Sequence, residues 1–365
     1  MNNTFFSISK STSTILFLLT AFLIIIMMIY GESTLVPIVF AIGIWGLLNT
    51  ITSRIQQLKI GRFQIPSWLA LILVLVIVIF LLLRLVGVLL ENINGFMDSL
   101  PQYTENLNNL LQTLPDSLWV GLFGKNADLS VGIVEQLFTL VTDYFSDYMS
   151  VLASSVASLA GNAIYIIIYV IFLVLEQGTF ATKAHNMFRN DQTRAEFQSI
   201  IASIHEQIQT YVTVKTLVSL MTGVVSYAIM WLFGLDYAII WAILIFILNF
   251  IPNIGSIVAV IFPVIMGLLQ FDSLGTVGTM AVLLTLVQLV VGNFIEPRMM
   301  GNQLNISSFV VLVALGVFGA IWGIAGMFFS VPITVILMII FSHFDSSRFI
   351  AVLLSGDGIV HGIEE

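Results

Sequence analysis

The chain has 365 residues, of which 59% are hydrophobic and only 9% are charged. Because soluble domains carry roughly a quarter charged residues, this composition, with its mean hydropathy of +1.06, excludes an ordinary soluble protein. The net charge of −8 is not typical of a nucleic-acid-binding protein, and the absence of cysteine excludes disulfides and thiolate metal sites. We therefore predict an all-α, polytopic helical membrane protein with about eight spans. We expect it to be surrounded by a lipid bilayer and to have no nucleic-acid partner, cofactor or bound metal.

Residues 1–90 are predicted to form the N-terminal transmembrane helices. Apolar runs cover about residues 14–30, 35–50 and 66–83, and no small-residue cleavage site follows the first run, so we expect it to be retained. Basic residues flank the first two runs, namely Lys10, Arg54, Lys59 and Arg62. The positive-inside rule then places the N-terminus and the first loop in the cytoplasm, and we expect the C-terminal tail, residues 346–365, to lie there too.

Residues 91–150 are predicted to form an acidic, helical, extracytoplasmic segment. It contains eight acidic residues against Lys125 alone. Within it, residues 100–114 and 134–151 carry apolar side chains at heptad spacing, which produces a seam suited to packing against another helix. The two seams can pack against each other or against another subunit, and the second possibility predicts a homo-oligomer.

The next two segments are a transmembrane helix at residues 151–175 and a cytoplasmic amphipathic segment at residues 176–210. The second segment mixes acids with bases, which is typical of a solvated helix face. His205 and Glu206 lie here, but the residues around them lack the spacing of a zinc protease, so we predict no metal site.

The transport core is predicted at residues 211–345, and its central feature is the uncharged stretch from 241 to 271. This stretch is interrupted near its middle by asparagine, proline and glycine. Broken helices at membrane depth are where transporters place solute and ion sites, because freed backbone groups must be buried in protein or line a wet cavity. The alternative is a tight turn between two helices at the membrane surface. The candidate solute- or ion-binding residues of this break are Asn249, Pro252, Asn253 and Gly255.

Polar residues elsewhere in this core are further candidates. Lys215 lies one turn inside an apolar run, where it either snorkels to the cytoplasmic surface or pairs with an acid across the bundle. The following span carries Gln288 and Asn293 and ends at Glu296-Pro297-Arg298. Glu296 and Arg298 are either interfacial anchors or part of a site that holds a cation or a proton.

The last apolar run, residues 307–341, is about twice as long as one span and is interrupted by glycines. A span followed by a broken hairpin therefore occurs twice, at residues 211–271 and 275–341. This is the arrangement of an inverted repeat, in which the solute site lies between the halves. We expect an outer turn near Trp322 and a kink at Ser330-Val331-Pro332.

Three motifs in this core resemble the signature stretches of the autoinducer-2 exporter (AI-2E) family of bacterial membrane proteins. They are NFIPNIG at 249–255, GNFIEPRMMG at 292–301 and GIAGMFFSVP at 323–332. The resemblance covers nearly the whole chain. It implies a multi-pass protein of the bacterial inner (plasma) membrane and a homo-oligomer, with a pentamer as the expected state. Some members of the family export the quorum-sensing signal autoinducer-2, and others resemble sodium(lithium)/proton antiporters.

The residues and the resemblance together predict a secondary transporter that exports a small polar solute, with autoinducer-2 as the candidate. The alternative is a sodium(lithium)/proton antiporter, in which Glu296 would alternate between proton and cation. No P-loop occurs in the sequence, which argues against ATP-driven pumping. The spans carry no nucleophile–base or paired-acid motif, so we expect no enzymatic activity and no catalytic residues.

Overall fold

The computed structural model describes residues 10–57, 66–113, 147, 150, 151, 154, 157, 161–188, 190–252, 254–301 and 305–359. The helices of this part are α1 (Lys10–Tyr30), α2 (Glu32–Gln57), α3 (Ser67–Thr113), α4 (Gly161–Glu176), α5 (Phe180–Met187), α6 (Asp191–Leu232), α7 (Ala238–Leu248), α8 (Ile254–Gln270), α9 (Leu274–Val290), α10 (Glu296–Met300), α11 (Ser308–Ser342) and α12 (Arg348–Leu354). A π-helical turn at Val291–Ile295 joins α9 to α10.

The fold class is confirmed, because helix is the regular secondary structure throughout the described residues. Five of their helices are long and apolar enough to cross a membrane, and α4, α7 and α8 are shorter apolar helices. The count of about eight spans and the cytoplasmic termini stay predictions. Most of the acidic segment after residue 113 lies outside the described residues, so its second heptad seam does as well.

The main core surrounds α7, which is apolar on every side and buried over most of its surface. Trp241 and Ile245 on this helix are fully buried, as are Phe96 on α3 and Met266 on α8. With only 11 residues, α7 is about 16 Å long, which is roughly half of a bilayer's hydrocarbon thickness. The short length and extensive burial fit a helix that enters the bundle without crossing it. A second apolar cluster joins α2, α3 and α4.

The far end of α3 is fastened to the turn between α6 and α7. The Tyr103 hydroxyl donates to Asp236 Oδ2 at 2.8 Å, and the Tyr237 hydroxyl donates to the Gly95 carbonyl at 2.8 Å. Burial, together with the hydrogen bond to Asp236, raises the pKa of the Tyr103 hydroxyl above its ordinary value, so this group remains a donor. Tyr237 has a φ of 55°, in the left-handed region that side chains avoid. These contacts hold the start of α7 in place.

The first broken element is the hairpin of α7 and α8, whose described tip is residues 249–252. Pro252 ends the helical hydrogen bonding, as predicted. Gly255 lies in the first turn of α8 and has no positive φ, so its backbone dihedral angles do not explain the glycine. It is needed because a Cβ there would overlap the Leu248 carbonyl, so the two arms can approach closely only at a glycine.

The second broken element is α11, which is interrupted at the predicted outer turn. Trp322 has φ −127° and ψ 19°, and Gly323 has φ 57°, so the chain leaves helical geometry at these two residues. Gly326 has the same role as Gly255, because a Cβ there would overlap the Phe318 carbonyl. Pro332 lies in helical backbone inside α11, and the kink expected at 330–332 stays a prediction. The two-fold relation between the halves stays a prediction.

We predict that Gly255→Ala and Gly326→Ala each destabilise the protein. The added methyl group meets backbone rather than a flexible side chain, so the cost should reach at least the roughly 1–3 kcal/mol of an overpacked core. The matched control is Gly278→Ala on α9, where nothing lies within 4 Å of the added atom. The unfolding midpoint in detergent measures all three variants. Equal midpoints would contradict the steric requirement.

Candidate functional site

A groove of about 530 Å³ lies between α8 and α9 and ends at the tip of the first hairpin. Its polar end is formed by Lys215 from α6, by the tip and by the π-helical turn. Its apolar wall comes mainly from α8. The lining residues are Lys215, Asn249, Ile251, Pro252, Ser256, Ile257, Val260, Ile261, Val264, Ile265, Thr285, Gln288, Leu289, Gly292, Asn293 and Glu296.

Most of the candidate residues from the sequence meet in this groove. Six of them line it: Lys215, Asn249, Pro252, Gln288, Asn293 and Glu296. Gly255 is buried behind the tip, and Arg298 is exposed and does not line the groove. Asn253 lies outside the described residues. The sequence reasoning missed Thr285 and Ser256, and the only signal for Ser256 was its position beside Gly255.

Lys215 and Glu296 form an ion pair at the polar end of the groove. The Lys215 Nζ donates to Glu296 Oε1, and Lys215 is only 4% exposed. Snorkelling, which was one of the two readings for Lys215, is therefore wrong. The reason is that the Lys215 ammonium group is buried against Glu296 instead of extending to solvent. The alternative reading, in which Lys215 pairs with an acid on another helix, is confirmed.

The π-helical turn directs Glu296 toward Lys215. A π turn contains one residue more than an α turn, and such insertions occur frequently at functional sites. Because successive helical residues are about 100° apart around the axis, the extra residue rotates everything that follows. Gly292 and Asn293 lie in this turn and face the groove, and Glu296 follows it directly. The sequence contained no signal that we could read as a π turn.

Asn249 attaches the hairpin tip to α6. Its Nδ2 donates to Ser219 Oγ at 3.0 Å, and both residues are buried. Ser219 lies four residues after Lys215, so the ion pair and this hydrogen bond occupy the same face of α6. The tip is therefore connected to the same helix that holds the charged pair.

Gln288 provides a hydrogen-bond donor that no described residue uses. It is 9% exposed, it lines the groove, and its Nε2 has no hydrogen-bond partner among the described residues. A buried polar group without a partner costs free energy. The amide is therefore suited to donate to an acceptor on a molecule in the groove.

The described residues contain no cluster of three or more histidine, aspartate or glutamate side chains suited to a metal. His205 instead packs against Trp45, with ring centroids 5.1 Å apart. The groove presents three side-chain amides, the hydroxyl groups of Ser256 and Thr285, and a single ion pair. This set of groups is suited to binding a polar molecule.

Comparison with known proteins identifies the class of the molecule as a membrane transporter. The model of the AI-2E family transporters matches residues 14–345, so this chain belongs to that family. It is 28% identical over 326 residues to the AI-2 transport protein TqsA of Escherichia coli, which covers 89% of this chain and 90% of that protein.

Two further relatives share the name "Putative transport protein". The protein from Borreliella burgdorferi is 30% identical over 305 residues, which cover 83% of this chain and 81% of that protein. The protein from Haemophilus influenzae is 32% identical over 286 residues, which cover 76% of this chain and 78% of that protein.

We predict that Lys215→Met destabilises the protein by about 3–5 kcal/mol, since it leaves the Glu296 carboxylate without its partner. The double variant Lys215→Met/Glu296→Gln should recover most of this loss, because it removes both charges. Unfolding midpoints of the single and double variants in detergent give the coupling between the two sites. Additive losses would show that the pair does not act as a unit.

Proposed function

We propose that the protein is a secondary transporter of the bacterial inner membrane that exports a small polar solute, with autoinducer-2 as the candidate. The observation that carries this proposal is the groove itself, where an unpartnered amide, a broken hairpin and a buried ion pair meet. The name of the Escherichia coli relative supports autoinducer-2 as the solute to test first. The absence of a P-loop from the sequence supports transport that does not consume ATP.

The charges of the groove favour an uncharged solute. Lys215 and Glu296 are the charged residues among those that line it, and they neutralise each other. An ionic solute would enter a site without an opposite charge to receive it, which is costly in a medium of low dielectric constant. Hydrogen-bond donors and acceptors remain to recognise the solute, with the apolar wall of α8 beside them.

Sodium(lithium)/proton antiport is the alternative function. Glu296 would have to bind the cation, yet its carboxylate is already paired with a buried ammonium group. A sodium ion would therefore have to displace Lys215. For this reason we place solute export ahead of antiport.

We also propose that the protein works as a homo-oligomer, with a pentamer as the expected state. The heptad seams support this assembly, and α3 extends to Thr113 and so includes most of the first seam. The mass of the detergent-solubilised complex tests the proposal.

The test of function is flux into liposomes that contain the purified protein. Saturable movement of autoinducer-2 without a sodium-dependent pH change supports the exporter. A sodium-dependent pH change without movement of autoinducer-2 would replace the exporter with the antiporter. Protein-free liposomes provide the background for both measurements.

We predict that Gln288→Leu abolishes saturable solute flux and leaves the protein as stable as the parent, or slightly more stable. Leucine removes a donor that has no partner among the described residues, so the folded protein loses no hydrogen bond from this Nε2. The bound solute, in contrast, loses one. Thr279→Val on the same helix is the matched control, because Thr279 is exposed and does not line the groove. Unchanged flux in Gln288→Leu would remove this residue from the site.

A further inference from the structure

Five phenylalanine rings connect the first hairpin to the second and to α2. We name this set the aromatic bridge; its members are Phe40, Phe246, Phe250, Phe328 and Phe329. The contact between the two broken elements is the stack of Phe250 on Phe328. Their ring centroids are 4.3 Å apart and the rings are inclined by only 17°. This is the closest and flattest of the ring contacts within the bridge.

The hairpin tip contributes to both the groove and the stack. Asn249, Ile251 and Pro252 line the groove, whereas Phe250 does not line it and is only 5% exposed. The tip therefore presents three residues to the groove and the Phe250 ring to the second hairpin.

Both broken elements depart from helical geometry at or shortly before the residue that supplies the ring. Phe250 lies within the tip, and Phe328 lies five residues after the interruption at Gly323. The arms of the first hairpin, in contrast, are part of the main core, where Trp241 and Met266 are fully buried. Hinge motions take place where a few residues at the ends of elements can absorb dihedral changes. Relative movement of the two broken elements would thus be taken up at the tips and would separate these two rings.

An apolar constriction can close a path for water and polar solutes without a bulky obstruction, since such a constriction loses its water. The aromatic bridge has this character, because five phenylalanine side chains provide no hydrogen-bonding group. One stacked pair is also a weak contact that can break and re-form.

We propose that the stack of Phe250 on Phe328 is the barrier that closes the groove toward the second hairpin and that must open in every transport cycle. This inference rests on the proposed transport function. It assigns to two residues of the family motifs a role as the barrier to the solute, separate from solute binding.

The experiment is reversible cross-linking in proteoliposomes. Because the chain has no cysteine, Phe250→Cys/Phe328→Cys is the only pair of thiols in its variant. A short bifunctional methanethiosulfonate reagent joins the pair, and a reductant releases it. Flux of autoinducer-2 is measured before joining, after joining and after release. The matched control is Phe188→Cys/Phe197→Cys, which makes the same two substitutions at rings 5.0 Å apart where the end of α5 packs on α6, and neither residue lines the groove.

We expect joining of Phe250→Cys/Phe328→Cys to abolish flux and reduction to restore it, while joining of the control pair leaves flux unchanged. Full flux through the joined protein would overturn the proposal, because the barrier would then not need to open. Failure of the two thiols to join would also overturn it, since the two tips would not be in contact. Absence of flux in the parent protein would count against the proposed function alone, because the yield of joining still tests the contact.

A second measurement tests the barrier without cysteine variants, in case these variants misfold. Phe328→Ala, once shown to be monodisperse, should admit the small uncharged solute erythritol passively and make proteoliposomes swell faster than those with the parent protein. Phe309→Ala, at an exposed position on the same helix, should swell at the parent's rate. Equal swelling of Phe328→Ala and the parent would contradict a barrier at the stack.

Discussion

The ion pair of Lys215 and Glu296 is the interaction on which the rest of the core depends. A buried charge is tolerated only when it is paired, because the loss of hydration otherwise costs several kcal/mol. Lys215 lies on α6 and Glu296 directly follows the π-helical turn, so the ion pair joins these two elements. Ser219 on the same face of α6 then attaches the hairpin tip through Asn249. The position of the groove follows from these two contacts.

The chain reverses direction inside the apolar core in the same way in both broken elements. In each, a glycine lies against a carbonyl group of the preceding arm: Gly255 against Leu248, and Gly326 against Phe318. Lipid offers the freed backbone no hydrogen bonds, so such a turn must be enclosed by protein. The first tip is enclosed by α6 on one side and by the aromatic bridge on another. One hydrogen bond thus joins the tip to α6 and one ring stack joins it to the second hairpin, while Ile251 packs in the main core.

Much of the fold class and most of the candidate site could be predicted from the sequence. The long apolar runs required helices, and the prolines and glycines marked the places where helices break. Pro252 and Trp322 were identified in this way. Intramembrane polar residues are rare enough to be candidates by default, which is why Lys215, Gln288 and Glu296 were found without a structure. The sequence left open whether Lys215 extends to the membrane surface or pairs with an acid, and only the structure identifies Glu296 as its partner.

The sequence by itself determined the membrane class, the family and the list of polar residues, since these depend on composition and on motifs that are local in the chain. Only the tertiary structure decided which of those residues meet. The pairing of Lys215 with Glu296 depends on one extra residue in a π turn, which rotates the side chains after it. The need for glycine at 255, the unpartnered amide of Gln288 and the stack of Phe250 on Phe328 likewise depend on which helix faces meet. Those faces belong to segments up to about eighty residues apart, and no local pattern in the chain encodes their contact.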